Sequence, residues 1–214
     1  MASFFSTDSA YSRFMNKLGD LILLSLLWVV CSLPLVTMGT ATCAAYYTAA
    51  KVIRHRNGYV SQEFFRSFKQ NFRTSIGLNI MYLVLAVMLV FNLMYFKEGE
   101  TELNFYMRCV YIAIGVMLLG VMLNTYILLS RFKLGTGKLF IMAFVITFGH
   151  LPTTLLLVVA CVAVAVLVYL VPWAAFILPG LTFWGATFPA ERVMKKYMPK
   201  AEEGTKEADI WYNN

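Results

Sequence analysis

LFIMAFVITFGHLPTTLLLVVACVAVAVLVYLVPWAAFILPGLTFWGATFPA, residues 139–190, runs for 52 positions between Lys138 and Glu191 without an Asp, Glu, Lys or Arg. A helix needs about 20 residues, at ~1.5 Å of rise each, to cross a ~30 Å hydrocarbon layer. This stretch therefore holds two crossings, with a tight reversal expected at Pro172-Trp173. Working outward, 30 uncharged residues separate Asp20 from Lys51, 23 separate Arg73 from Lys97, and 22 separate Arg108 from Arg131. These gaps have room for one or two, one, and one crossings. The reading is an all-α, polytopic helical membrane protein with five or six transmembrane helices.

Composition points the same way. Of the 214 residues, 60% are hydrophobic and 14% charged, and mean hydropathy is +0.69. Soluble domains sit near 45–50% apolar and about 25% charged. A soluble enzyme, a disordered tail and a nucleic-acid-binding domain are excluded on that ground. The net charge of +7 is unevenly placed. Lys51, Arg54, Arg56, Arg66, Lys69 and Arg73 are opposed only by Glu63, and Arg131, Lys133 and Lys138 by no acid. Lys97, Glu98, Glu100 and Glu102 make the loop between these segments acidic. Basic and acidic loops in alternation follow the positive-inside pattern of membrane insertion, with scope for binding anionic lipid.

The expected organisation is one helical membrane domain over residues 1–200 and a cytoplasmic tail over 201–214. Spans are placed at about 21–36, 40–53, 76–96, 105–130, 151–171 and 174–190. Pro34 disfavours helix at Leu33, so residues 21–50 read as a short hairpin with its tip near Pro34–Thr40 and the N-terminus inside. A single kinked helix with the N-terminus outside is the alternative. Residues 4–18 read as an interfacial amphipathic helix leading into an uncleaved anchor. Asn57–Arg73 reads as a second such helix after an Asn57-Gly58 turn, with Phe64, Phe65, Phe68 and Phe72 on one face and Arg66, Lys69, Gln70 and Arg73 on the other. Residues 131–150 repeat the basic-then-amphipathic arrangement. Multi-pass insertion in the cytoplasmic (inner) membrane with both termini inside is the resulting topology.

Groups for chemistry are scarce. Ionisable residues inside a membrane are costly and usually functional, yet only Asp20 and His150 border these stretches, each near an interface. No paired carboxylates, H-E-x-x-H, G-x-S-x-G or phosphate-cradling loop occurs, so the expectation is no enzyme, no metal and no cofactor. Cys31, Cys43, Cys109 and Cys161 make no C-x-x-C pair and read as small packing residues. Asn79, Asn124 and Tyr46 are the candidate polar interior, suited to sugar hydroxyls but more often used between helices. Ala41, Ala45 and Ala49, like Thr182, Ala186 and Ala190, recur every four residues and allow close helix approach. These six, with Phe64, Phe68, Arg66 and Lys69, are the candidate partner-docking residues.

The run from Asp20 through Trp28, Leu33-Pro34 and Gly39-Thr40 to Ala44-Ala45-Tyr46-Tyr47 resembles the YesL-like family of bacterial membrane proteins. Gly58-Tyr-Val, Phe64-Phe65-Arg66-Ser-Phe68-Lys-Gln-Asn71-Phe72 and, later, His150-Leu-Pro152 add to the likeness. That resemblance implies an accessory role beside carbohydrate ABC importers in Gram-positive bacteria, with the importer permeases and their ATPase as partners. The chain lacks the Glu-Ala-Ala docking loop of a permease and any ATP-binding loop of its own. The competing expectation is a self-sufficient, homo-oligomeric sugar transporter or channel, with the three polar residues lining its path.

Overall fold

The computed structural model describes residues 10–96, 102–132 and 135–197, all of whose regular elements are helical. The helices are α1 (Ala10–Ser32), α2 (Met38–Thr48, continued in π-helical form over Ala49–Arg54), α3 (Val60–Tyr95), α4 (Glu102–Arg131), α5 (Thr136–Gly149), α6 (Leu151–Leu170) and α7 (Leu178–Tyr197). Among them α1, α3, α4 and α6 are long and apolar enough to cross a membrane. The segments 4–9, the acidic residues Glu98 and Glu100, Lys133 and the tail 201–214 lie outside the described residues.

The breaks fall where proline removes a donor or glycine permits a turn. α1 stops at Ser32, two residues before Pro34, and a 3-10 turn at Leu35–Thr37 reverses the chain into α2. Residues 21–53 thus form two packed helices rather than one kinked one. Pro152 sits in the first turn of α6, where its missing N–H costs least, and Pro172 opens the 3-10 segment Pro172–Phe176. Between α2 and α3, Arg56 (φ 54°) and Gly58 (φ 96°) take left-handed conformations, which glycine adopts without a Cβ penalty.

Where no proline occurs, expected boundaries vanish. The stretch 10–18 is continuous with the rest of α1, and 60–73 with the span that follows it in α3. The separate amphipathic helix expected at Asn57–Arg73 is instead the first four turns of a 36-residue helix. Gly19 and Gly77 stand near the expected junctions, but a lone glycine costs only about 1 kcal/mol in a helix. α5 likewise differs from expectation, being apolar on nearly every side: Leu139, Ala143, Ile146 and Thr147 are buried, while Ile141, Phe144, Val145 and Phe148 are exposed.

Two clusters fill the interior, and α2 divides them. Ala41, Ala44, Ala45 and Ala49 pack with Leu21 and Leu24 of α1 and with Val60 and Phe64 of α3. Cys43 and Tyr46, on the other side of α2, pack with Leu78 and Tyr82 of α3, residues 126–129 of α4, Leu139 and Ala143 of α5, and Val193 and Met194 of α7. The outward faces of α3, α4 and α6 carry large exposed side chains such as Val87, Phe91, Ile112, Leu156 and Val159. Contiguous apolar surface of that extent is intolerable in water and suits lipid. α1 meets α7 at Gly180, where an added Cβ would strike the Leu21 carbonyl and lie 2.7 Å from Ser25 Oγ. Gly77 in α3 has open space at the corresponding position.

These two glycines give opposite expectations. Gly180→Ala should destabilise the detergent-solubilised protein by about 1–3 kcal/mol through overpacking against a backbone carbonyl. Gly77→Ala should be neutral or stabilising by up to about 1 kcal/mol from helix propensity alone. Thermal unfolding of the two variants beside the parent checks this, and equal melting temperatures would refute the close α1–α7 contact.

Candidate functional site: buried polar clusters and a charged pole

Polar side chains inside the helices are held in three groups. In the first, Asn79 Nδ2 donates to the carbonyls of Leu35 (2.7 Å) and Val36 (3.1 Å), and Asn79 Oδ1 accepts from Tyr126 Oη at 2.8 Å. Tyr82 Oη lies 2.7 Å from Thr125 Oγ1, and the Tyr82 and Tyr126 rings meet edge to face. Gly39 lies against Tyr126, whose Cζ would be 2.6 Å from an added Cβ, so only glycine fits beneath this ring.

The second group joins three helices. Asn124 Nδ2 donates to Thr147 Oγ1 and Thr154 Oγ1, both at 3.1 Å, and Thr147 donates to the Ala143 carbonyl at 2.8 Å. Beside it is a cavity of about 10 Å³ lined by Asn124, His150, Thr154, Ala190 and neighbours, about the space of one water. Asn79 and Tyr46 do not line it.

The third group collects the charged ends of five helices. Arg131 of α4 and Glu191 of α7 form an ion pair with side chains only 1% and 3% exposed, and the guanidinium lies 5.9 Å from the Tyr46 ring. Lys51 pairs with Glu63 at 2.7 Å. Arg54 donates to the Thr187 carbonyl at 2.6 Å and lies over the Phe188 ring, while Lys17 of α1 lies 4.0 Å over Trp184. A buried ion pair contributes little net stability, since desolvation offsets attraction, but removing one partner strands the other. Its chemistry here is structural: it closes α7 onto α4. Among the described residues no three of His, Cys, Asp and Glu assemble at one point, and the four cysteines are unpaired.

The residues singled out from the sequence are placed unevenly. Asn79, Asn124 and Tyr46 are buried, each with different neighbours, so the structure does not bring them to one site. Ala41, Ala45 and Ala49 are fully enclosed between α1 and α3, and Phe64 is fully buried beside them. That face is consumed within the chain and is not open to a second protein. Phe68 is partly buried against the same cluster. On α7, Ala190 is buried and Ala186 packs against the interior, while Thr182 is half-buried and donates to the Leu178 carbonyl. Arg66 and Lys69 remain exposed. Phe64 and Phe68 turn inward because α3 presses its Val60–Phe64–Ser67 stripe on α2; Phe65 and Phe72 point out instead.

Sequence reasoning missed the Arg131–Glu191 and Lys51–Glu63 pairs. Their signal was present: Glu63 is the one acid in a basic segment, and Glu191 ends the longest uncharged run.

A protein-family profile described as a protein of unknown function, DUF624, matches residues 21–93, from the apolar part of α1 to the last turn of α3. YesL-like proteins belong to that family. No curated protein and no solved structure matches the chain.

The ion pair yields a testable asymmetry. Arg131→Met alone should cost about 3–5 kcal/mol by leaving Glu191 charged and unpaired in the interior. The double variant Arg131→Met, Glu191→Met should recover most of that loss. Unfolding of the purified protein measures both, and a double variant no better than the single one would remove the pairing argument.

Proposed function

We propose that this chain is a non-catalytic accessory subunit of a bacterial carbohydrate ABC importer, inserted in the cytoplasmic membrane with its charged pole and both termini on the cytoplasmic side. The observation that carries this reading is the contrast between interior and exterior. The amides of Asn79 and Asn124 are spent on partners within the chain, and the cavity beside Asn124 is no larger than about 10 Å³. The exterior, by comparison, has an open groove of about 470 Å³ along α4 and α5, lined by Ala113, Met117, Val121, Phe140, Phe144 and Phe148 among others. A wholly apolar groove of this size accepts a helix or an acyl chain, not a sugar.

The docking surface thus lies on α4 and α5 rather than on the alanine stripe of α2. Membrane helices associate by close van der Waals packing, and permease helices are the occupants this reading assigns. The import context itself is supported by the YesL-like resemblance, densest over residues 20–73, and by the profile match over 21–93. Orientation is supported by the positive-inside asymmetry of the loops.

Co-purification of the tagged chain from its native membrane in mild detergent tests this. Importer permeases and an ATPase should accompany it in fixed ratio, and Ala113→Trp, which fills the groove, should lower their recovery about tenfold, a loss of ~1.4 kcal/mol in binding, without altering the melting temperature. Recovery of this chain alone, as a homo-oligomer that passes sugars in liposomes, would replace the accessory reading with an independent transporter.

A further inference from the structure

We propose that the outward face of the first four turns of α3 binds anionic phospholipid headgroups, Arg66, Lys69 and Arg73 meeting the phosphates and the Phe65 and Phe72 rings set among the lipids beside them. This step uses only the helical membrane fold and does not depend on the importer reading. The register of α3 carries the first part of the argument. The helix is unbroken from Val60 to Tyr95. At about 100° per residue, Lys69, Arg73, Ile80 and Val87 fall within about 40° of one another around its axis. Phe65 and Phe72, 52% and 40% exposed, flank that line on one side and the exposed Arg66 on the other. Ile80 and Val87 are exposed apolar residues of a helix fit to cross a membrane, so lipid is what covers them. The basic stretch continues that lipid-covered face, and the layer next to acyl chains along a helix is their own headgroups.

Depth follows from what the inner side of the same segment touches. Phe64 shares a cluster with Leu21 and Leu24 near the base of the α1–α2 hairpin. Asn79 bonds the Leu35 and Val36 carbonyls at its tip. Arg66, Lys69 and Arg73 stand between those two contacts, alongside the hairpin. The outer side of the hairpin exposes Leu23, Leu26, Val30 and Leu33, and α1 is itself apolar enough to cross a membrane. Such a surface needs hydrocarbon around it, so the hydrocarbon reaches past Ile76 toward the level of the three cations. Long arginine and lysine stems lie along apolar surroundings and carry their charge to the interface, where lipid phosphate is the acceptor.

The charge on this face is not neutralised within the chain. Glu63 is the one acid of α3. It is held by Lys51 at 2.7 Å and only grazed by Arg66 at 3.8 Å, whose side chain is 60% exposed. Neither Lys69 nor Arg73 pairs with an acid among the described residues. Three cations without an acid favour a headgroup of net negative charge over a zwitterionic one, whose own ammonium offsets its phosphate. Basic residues interleaved with phenylalanine are also the composition of helices that lie against anionic lipid.

The experiment places the photo-crosslinker benzoylphenylalanine at position 72 of the full chain, in vesicles of equal parts phosphatidylglycerol and phosphatidylcholine with matched acyl chains. A second version carries it at position 87, on the same face among the apolar residues. After illumination, mass spectrometry counts the lipid joined at each position. The probe at 72 should capture phosphatidylglycerol over phosphatidylcholine by about fivefold or more, the preference expected of one fully engaged cation. The probe at 87 should capture the two in their bulk ratio. Arg66→Gln/Lys69→Gln/Arg73→Gln should bring the ratio at 72 down to that at 87. Should the triple variant fail to insert, ~1 M sodium chloride added to the parent chain makes the same comparison, since the Debye length there is ~3 Å. A preference that survives neutralisation, a preference equal at the two positions, or no lipid adduct at 72 beside a normal yield at 87 overturns the proposal. So does capture of a protein by the probe at 72 in native membrane, which would give the face to a partner.

Discussion

A polar group sealed away from water must find its partner inside the chain, and that requirement organises these helices around α2. The reversal at Leu35–Thr37 turns the carbonyls of Leu35 and Val36 toward α3, the first of them also accepting the Met38 N–H. Asn79 of α3 supplies the donors, and Tyr126 of α4 holds Asn79 by its remaining acceptor. Tyr126 reaches that position only because residue 39 has no side chain. One turn, three helices and one glycine are thus coupled by a few hydrogen bonds. The alanines of α2 complete the arrangement, since each methyl-sized side chain lets α1 and α3 close on a helix that is itself nearly without exposed surface. Hydroxyls elsewhere solve the same problem locally: Thr48, Thr125, Thr147 and Thr182 donate to carbonyls one turn back.

Much of this was legible in the sequence because charge is so costly in a bilayer that its absence marks helices directly. The long gaps in charge, the Pro34 break and the Asn57-Gly58 turn all correspond to features of the helical fold. The four-residue spacing of Ala41, Ala45 and Ala49 announced a close contact, but spacing carries no information on whether the neighbour belongs to the same chain. The facing of Phe64 and Phe68 was hidden for a related reason. An amphipathic pattern states which side chains share a face, while the choice between lipid, partner and chain depends on where α2 lies, and that is a tertiary fact. Helix continuity was misjudged at 18–21 and 73–76 because a change from mixed to apolar composition resembles a boundary, although without proline nothing breaks the backbone. The Arg131–Glu191 pair joins residues 60 apart in number, and no periodicity links them.

The length of α5 connects this interior economy to the exterior. With 14 residues, it extends about 21 Å, against about 45 Å for the 30 residues of α4. Asn124 anchors Thr147 near the end of α5, and Phe144 and Phe148 stand across from Val110, Ala113 and Ile114 of α4 without closing on them. The notch between Phe144, Phe148 and Ala113 is the consequence. A chain built only to shield its own core would gain by lengthening α5, since each buried methylene contributes about 0.8 kcal/mol in water and close packing gives a smaller gain in lipid. Here Asn79, Tyr126, Asn124 and Thr147 bond within the chain while the buried Thr40 and Ser75 hydroxyls have no partner among the described residues, the alanine stripe is closed, and an apolar notch along α4 and a basic, aromatic face on α3 stay open.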